Sequence, residues 1–276
     1  RRGRMAYHVL SEKETPGKFN AKHIQLQNII GNISLKALSK DSVNLGIKRL
    51  SLDEKASGFS LKKLSMKLIA NSRRTHIENF TIELPQTSFK MDTIRVRYDS
   101  LGAFQHFADQ VHFSFQTLPS QLTLKDISPF VPALAHFKDP ITIDMNVQGT
   151  VNQLECSNLE ITAFNRKFRL KGDASLQDLS HPGDAYIYGT LSDLSIHTQG
   201  MDHLVRNLVS HYTGTPPVLK RLGDINFRGE ISGYFNDLVT YGLLRTSLGN
   251  VQTDLKLSSN KEKGLFSYSG SVKTHN

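Results

Sequence analysis

Eleven histidines and a single cysteine are the residues of this 276-residue chain best suited to metal binding or nucleophilic chemistry. Zinc needs three or four His, Cys or carboxylate ligands converging on one point, usually from closely spaced positions. His106 and His112 flank Asp109, and His203 and His211 fall two turns apart on a helix. Neither group has the further ligands at metal-binding spacing, so ordinary surface histidines are expected. Cys156 follows Glu155 with no histidine near it in sequence, which fits a buried structural thiol rather than a nucleophile. One cysteine also excludes an intrachain disulfide and a Cys-rich zinc site. The carboxylates are mostly single. Asp53-Glu54 and the pair Asp173 and Asp178 lie in turn-like stretches, where Asp caps or bends the backbone. No G-x-S-x-G, Walker A or H-E-x-x-H pattern occurs. Gly214-Thr215-Pro216-Pro217 opens on glycine, but its prolines lack the N–H donors of a phosphate cradle. The expectation is a protein that is not an enzyme, with no catalytic residue, metal or cofactor.

The elements carrying these residues follow from hydropathy. Period-2 alternation appears in Ile24-Gln25-Leu26, Ile33-Ser34-Leu35, Leu45-Gly46-Ile47, Leu50-Ser51-Leu52 and Leu64-Ser65-Met66-Lys67-Leu68. It returns in Phe80-Thr81-Ile82-Glu83-Leu84, Ile94-Arg95-Val96-Arg97-Tyr98, Val111-His112-Phe113-Ser114-Phe115 and Leu122-Thr123-Leu124. Ile141-Thr142-Ile143-Asp144-Met145-Asn146-Val147 is the cleanest example, and Leu159-Glu160-Ile161, Phe168-Arg169-Leu170 and Leu255-Lys256-Leu257 continue the series. Residues two apart share a face of a strand, so each segment has one apolar and one polar face. Lys55-Ala56-Ser57-Gly58, Asn71-Ser72-Arg73-Arg74, Pro85-Gln86, His181-Pro182-Gly183 and Ser258-Ser259-Asn260 read as the intervening turns. Many short strands with frequent turns predict a mainly β fold.

Gly58 to Leu68 aligns with Ser88 to Tyr98 at an offset of 30 residues, with every apolar position matched. Each copy reads Phe-x-apolar, two spacers, then apolar-x-apolar-x-apolar, and Phe168-Arg169-Leu170 begins a looser third copy. Such a period points to stacked units that add strands to one sheet. Three helical pieces interrupt the strands: Asp202 to Tyr212, a short helix from Ser128-Pro129 to Phe137, and a turn around Ala103, Phe104, Phe107 and Ala108. The polar side of the first (Asp202, His203, Arg206, Asn207, Ser210) has one Arg and no Lys, which favours covering a sheet end over lying on a membrane.

The net charge of +9 is uneven. Residues 1–100 hold 19 Lys/Arg against 9 Asp/Glu, whereas residues 101–276 hold 15 against 16. A basic segment attracts nucleic acid or anionic lipid. Here Phe59, Phe80 and Phe89 fall in register with the aliphatic residues and not with the lysines, which argues against base stacking on a basic surface. The charge is expected on a solvated polar face, with no nucleic-acid partner. No apolar run approaches the ~18 residues of a membrane-spanning helix. The Arg1-Arg2-Gly3-Arg4 start shows no signal peptide, and the chain reads as an internal fragment.

One stretch brings a family into view. Val147-Gln148-Gly149-Thr150-Val151-Asn152-Gln153-Leu154 leads through Leu159-Glu160-Ile161-Thr162 into Phe168-Arg169-Leu170-Lys171-Gly172-Asp173-Ala174-Ser175-Leu176. The cadence recurs in Phe227-Arg228-Gly229-Glu230-Ile231-Ser232-Gly233-Tyr234 and in Leu244 to Leu255. It resembles the AsmA-like proteins, and among them the TamB branch, the translocation and assembly module component, in its Bacteroidota form. The resemblance implies an elongated, curled antiparallel-type sheet or β-groove, a taco-like solenoid with a few short helices. It further implies a periplasmic protein, anchored in the inner membrane through a segment outside this chain. Such proteins are thought to conduct phospholipid towards the outer membrane, or to support outer-membrane protein assembly with an Omp85-type partner met through other regions.

The divisions expected are a leading segment over 1–20, a repeat-bearing β segment over 21–126, a helical insertion over 127–140 and an AsmA-like β segment over 141–200. An amphipathic helix with a Pro loop over 201–218 and a second AsmA-like segment over 219–276 complete one continuous groove. Its expected lipid-facing residues are Leu64, Met66, Phe80, Ile82, Ile94, Val96, Phe113, Phe115, Ile143, Met145, Val147, Ile161 and Phe168. Phospholipid acyl chains are the expected ligand. The alternatives are a non-catalytic scaffold or spacer whose apolar face is packed as a closed core, and a carbohydrate-active or adhesive solenoid.

Overall fold

The computed structural model describes residues 3–11, 13, 15–39, 42–181, 183–208, 214–234, 236–260 and 265–274. The fold is mainly β, with antiparallel pairings and few short helices. It divides into two compact units, Arg1–Arg97 with Phe115–Thr142, and Tyr98–Ser114 with Ile143–Asn276.

In the first unit β1 (Gly3–His8), β2 (His23–Leu38), β3 (Ser42–Glu54), β4 (Ser60–Asn71), β5 (Arg74–Glu83) and β6 (Ser88–Arg97) pair in chain order. β7 (His112–Thr117) begins in the second unit and ends in the first, and β8 (Ser120–Leu122) pairs with β6. Apolar residues meet their like across successive strands. Leu35, Leu45, Leu68, Ile77 and Ile94 form one such row, and Leu50, Leu64, Ile82 and Phe89 another.

Several segments that read as separate strands are single strands interrupted by bulges. Leu45-Gly46-Ile47 and Leu50-Ser51-Leu52 both lie in β3, with a register shift between Ile47 and Leu50. In the first copy of the 30-residue repeat the two spacers have the same cause: β4 shifts register between Leu61 and Leu64, opposite Leu52 and Leu50. An extra residue keeps both flanking apolar side chains on one face, where strict alternation would turn the second one over. Asn28, Asn79 and Asn158 each occupy the third place of an apolar-x-Asn-apolar run and take φ of 55°, 53° and 52°. Asparagine tolerates this left-handed backbone far better than a branched residue. The two repeat copies become β4 and β6, the next-but-one neighbours on either side of β5.

The β3–β4 turn, at Lys55-Ala56-Ser57-Gly58 as expected, is built around Glu54, which is only 3% exposed. Its carboxylate accepts bonds from the backbone N–H groups of Gln25, Ala56 and Ser57 and from the Ser57 hydroxyl. Burial opposes its ionisation, but these donors outweigh burial and hold the carboxyl below its usual range.

The second unit is a meander of β9 (Ile141–Thr150), β10 (Gln153–Ala163), β11 (Phe168–Gln177) and β12 (Tyr186–Ile196), then β13 (Ile225–Tyr234), β14 (Asp237–Thr246), β15 (Gly249–Asn260) and β16 (Leu265–Thr274). Ile161, Leu170, Leu194, Phe227, Leu244 and Val251 form one cross-strand row through six of these strands. Beside it, a Cβ on Gly229 or Gly242 would lie 2.9 Å from the buried Phe227 ring, so the ring covers both glycines.

The helices depart from expectation in detail. α1 (Phe107–Gln110) follows a 3-10 turn over Leu101–His106, matching the third expected piece. The helix expected from Ser128 to Phe137 is instead two 3-10 turns, Leu124–Ile127 and Pro132–Leu134. Pro132 has no N–H for an i−4 bond and so breaks the run. The first of these turns also takes Leu124 out of the strand expected through Leu122-Thr123-Leu124. Phe130, in the linking segment, packs against Phe19 and Phe59 at ring distances of 4.8 and 5.0 Å. α2 (Thr198–Leu208) starts four residues before Asp202; Val209, Ser210, His211 and Tyr212 lie outside the described residues. Asn207, assigned to the polar side, is buried and donates to the His203 carbonyl. α3 (Pro217–Leu222) occupies part of the expected Pro loop. Ser258-Ser259-Asn260 is the end of β15 and not a turn.

Replacing Asn79 by Val should destabilise the fold by about 1–2 kcal/mol in urea titration, since it forces a branched residue into the left-handed region. Replacing Asn79 by Gly should leave stability within about 0.5 kcal/mol.

Candidate functional site

The apolar strand faces are the most extensive candidate surface. None of the thirteen expected lining residues is fully exposed. Ile143 and Val147 are buried, at 8% and 4% exposure, and the other eleven are half-buried. In the first unit Leu64 opposes Ile82, Phe80 opposes Met91, and Val96 opposes Thr75. Met66 pairs with Ile47, and Ile94 with Ile77. Phe115 lies in the same unit, whereas Phe113 belongs to the second. In the second unit Ile161 starts the six-strand row, Phe168 pairs with Ala163 and Ile196, and Ile143, Met145 and Val147 follow one another along β9. Phe227 and Leu194, central to that row, were not among the expected lining residues. The apolar face of the first unit is open at its β1–β2 side, where Met5, Tyr7, Ile33 and Leu35 are each more than half exposed.

The opposite faces carry charge. Lys67 Nζ lies 2.8 Å from Glu78 Oε2, and Lys63 Nζ 3.5 Å from Glu83 Oε1. Glu160 receives Arg169 Nε at 3.2 Å and Lys171 Nζ at 2.9 Å, and Lys256 meets Asp237 at 2.9 Å. The Lys67 hydrogen bond lowers the Glu78 carboxyl, and the Lys171 bond lowers Glu160. These contacts are partly solvated and contribute little stability individually. Within the basic segment the polar strand face carries two separate cross-strand ion pairs, Lys63–Glu83 and Lys67–Glu78, both partly exposed.

The residues suited to catalysis are dispersed. Cys156 is buried, and burial, followed by the Glu155 charge, pushes its thiol up, as suits a structural role. Asp109 accepts from Asn152 Nδ2 at 2.8 Å. His203 stacks on Phe164 with ring centres 5.2 Å apart, and His211 lies outside the described residues. Among the described residues no three His, Cys, Asp or Glu side chains gather as a metal site.

Two constellations escaped sequence reasoning. His8 and His23 approach to 3.2 Å between their Nδ1 atoms across β1 and β2. At the ends of β12, β13 and β14 an open cleft of about 300 Å³ is lined by Ser195, His197, Asp224, Asn226 and Arg245 among others. Asp224 Oδ1 accepts from the Thr198 backbone N–H at 2.7 Å and from its hydroxyl, and Oδ2 lies 3.0 Å from His197 Nδ1. Asp224 thus anchors the start of α2 to the strand ends. The partners stand 26 and 27 residues apart, a separation that carries no sequence signature.

The chain matches no family model, no curated protein and no solved structure. No described helix is long and apolar enough to cross a membrane.

The Thr198 backbone bond, then the His197 and Thr198 side-chain bonds, bring the Asp224 carboxyl down to about 2. A lowered folded-state value stabilises the fold above the ordinary carboxylate range, and that contribution is lost as pH falls through the folded value. Melting temperature should therefore fall between about pH 4 and pH 2. Asp224→Asn should flatten that part of the profile and lower stability at neutral pH.

Proposed function

We propose that the apolar strand faces carry phospholipid acyl chains, and that the chain is a segment of a bridge-like envelope protein moving lipid between inner and outer membranes. The observation that carries this reading is the pairing of unbroken apolar rows on one face with ion pairs on the other. Eleven of the thirteen expected lining residues keep partial exposure, the state of a surface that contacts a mobile apolar ligand. Each methylene moved from water onto such a surface gains about 0.8 kcal/mol. The chemistry is binding and conduction, with no bond made or broken. The AsmA-like and TamB cadence supports a periplasmic setting, an inner-membrane anchor outside this chain, and a role in outer-membrane protein assembly with an Omp85-type partner met elsewhere.

A scaffold with a closed apolar core is the second reading. It is favoured by Ile47, Leu61, Met91, Ile143 and Val147, all buried.

Photo-crosslinking residues at Met66, Val96 and Met145, with matched ones at Lys67 and Lys171, separate the two readings. Conduction predicts labelling of acyl tails from the first set alone. Equal labelling from both sets, or labelling from neither, contradicts it.

A further inference from the structure

The polar face of the first unit ends in charge that its neighbours leave unneutralised. Three rows succeed one another there. Lys67 and Glu78 form an ion pair; Ile69, His76 and Arg95 follow; then Arg74 and Arg97 stand directly opposed. Thr75 and Val96 turn to the apolar face, so Arg74, His76, Arg95 and Arg97 form a two-by-two block on the other side. Arg73, Arg74, Arg95 and Arg97 are exposed, and among the described residues none has an ion-pair partner. Like charges directly opposed across strands oppose pairing. The turn nevertheless fixes them, because Asn71 Oδ1 accepts from the backbone N–H groups of Arg73 and Arg74 at 2.9 and 2.8 Å. Arg169, Lys171 and Lys256 in the second unit, by contrast, all meet carboxylates.

We propose that this arginine block docks on an anionic phospholipid surface, with lipid phosphates bridging Arg74 and Arg97. Three features favour a lipid surface. The guanidinium forks match phosphate oxygens. Ile69, exposed beside them, offers an apolar contact to the head-group layer. The block contains no Phe, Tyr or Trp, the side chains on which single-stranded nucleic acid stacks. The proposal concerns the face opposite the acyl-chain surface and does not rest on that reading.

The test is co-sedimentation of the 276-residue chain with phosphatidylcholine vesicles, with and without phosphatidylglycerol, over a salt series. Binding should require phosphatidylglycerol and weaken as salt rises. The R74Q/R97Q variant should bind about 30-fold more weakly. R74K/R97K should retain most binding, and K220Q/R221Q, which removes the same charge from α3, should bind like the unaltered chain. Equal binding to both vesicle types would overturn the proposal, as would unchanged binding by R74Q/R97Q or equal loss in K220Q/R221Q. Tighter arginine-dependent binding to single-stranded DNA or polyglutamate would assign the block to another partner. Release from vesicles by millimolar inorganic phosphate would reduce it to a free-ion site.

Discussion

A β-strand has two faces, and a slip of one residue exchanges them. Everything distinctive about this chain depends on keeping that exchange from happening over strands of ten to sixteen residues. Long strands accumulate twist, and the bulges here bend them and add to that twist locally. Each inserts a residue, yet the apolar-x-x-apolar spacing returns the hydrophobic side chains to the same side. The asparagines at positions 28, 79 and 158 accept the left-handed backbone these insertions demand. Apolar rows and ion pairs on opposite faces are the outcome of one backbone device repeated.

The same separation determines what the chain can do chemically. Among the described residues, Glu54 organises a turn, Asp224 anchors a helix, and Cys156 is buried. On the proposed reading, the two strand faces are the functional surfaces. One is apolar and incompletely covered, and the other is charged and carries cross-strand ion pairs such as Lys67–Glu78 and Lys171–Glu160. The arginine block beside the β4–β5 turn concentrates positive charge that no ion pair offsets among the described residues. On this account the two faces address different parts of one class of molecule, the tails of a lipid on one side and phosphate groups on the other.

The division into faces was legible in the sequence because alternation is a local property. Leu64-Ser65-Met66-Lys67-Leu68 declares its two sides within five residues. Strand limits were less legible. Leu45-Gly46-Ile47 and Leu50-Ser51-Leu52 read as two strands because a bulge breaks period 2 in the same way a turn does. Ser258-Ser259-Asn260 has turn composition but pairs with β16, and pairing is a non-local fact. The candidate surface was legible in outline. Met66 and Ile161 follow from alternation, while Phe227 owes its central place to glycines on its own and the neighbouring strand. The Lys67–Glu78 and His197–Asp224 contacts were not legible at all, because register, set by the whole sheet, brings these residues together.

The most direct test of the central claim is native mass spectrometry of the chain after incubation with phospholipid and removal of the excess. The account predicts a retained population of lipid-bound protein, lost when Ile161 in the six-strand row is replaced by Asp in a variant that keeps its β-sheet circular dichroism. A spectrum showing only lipid-free protein, or lipid retained equally by the Asp variant, would contradict it.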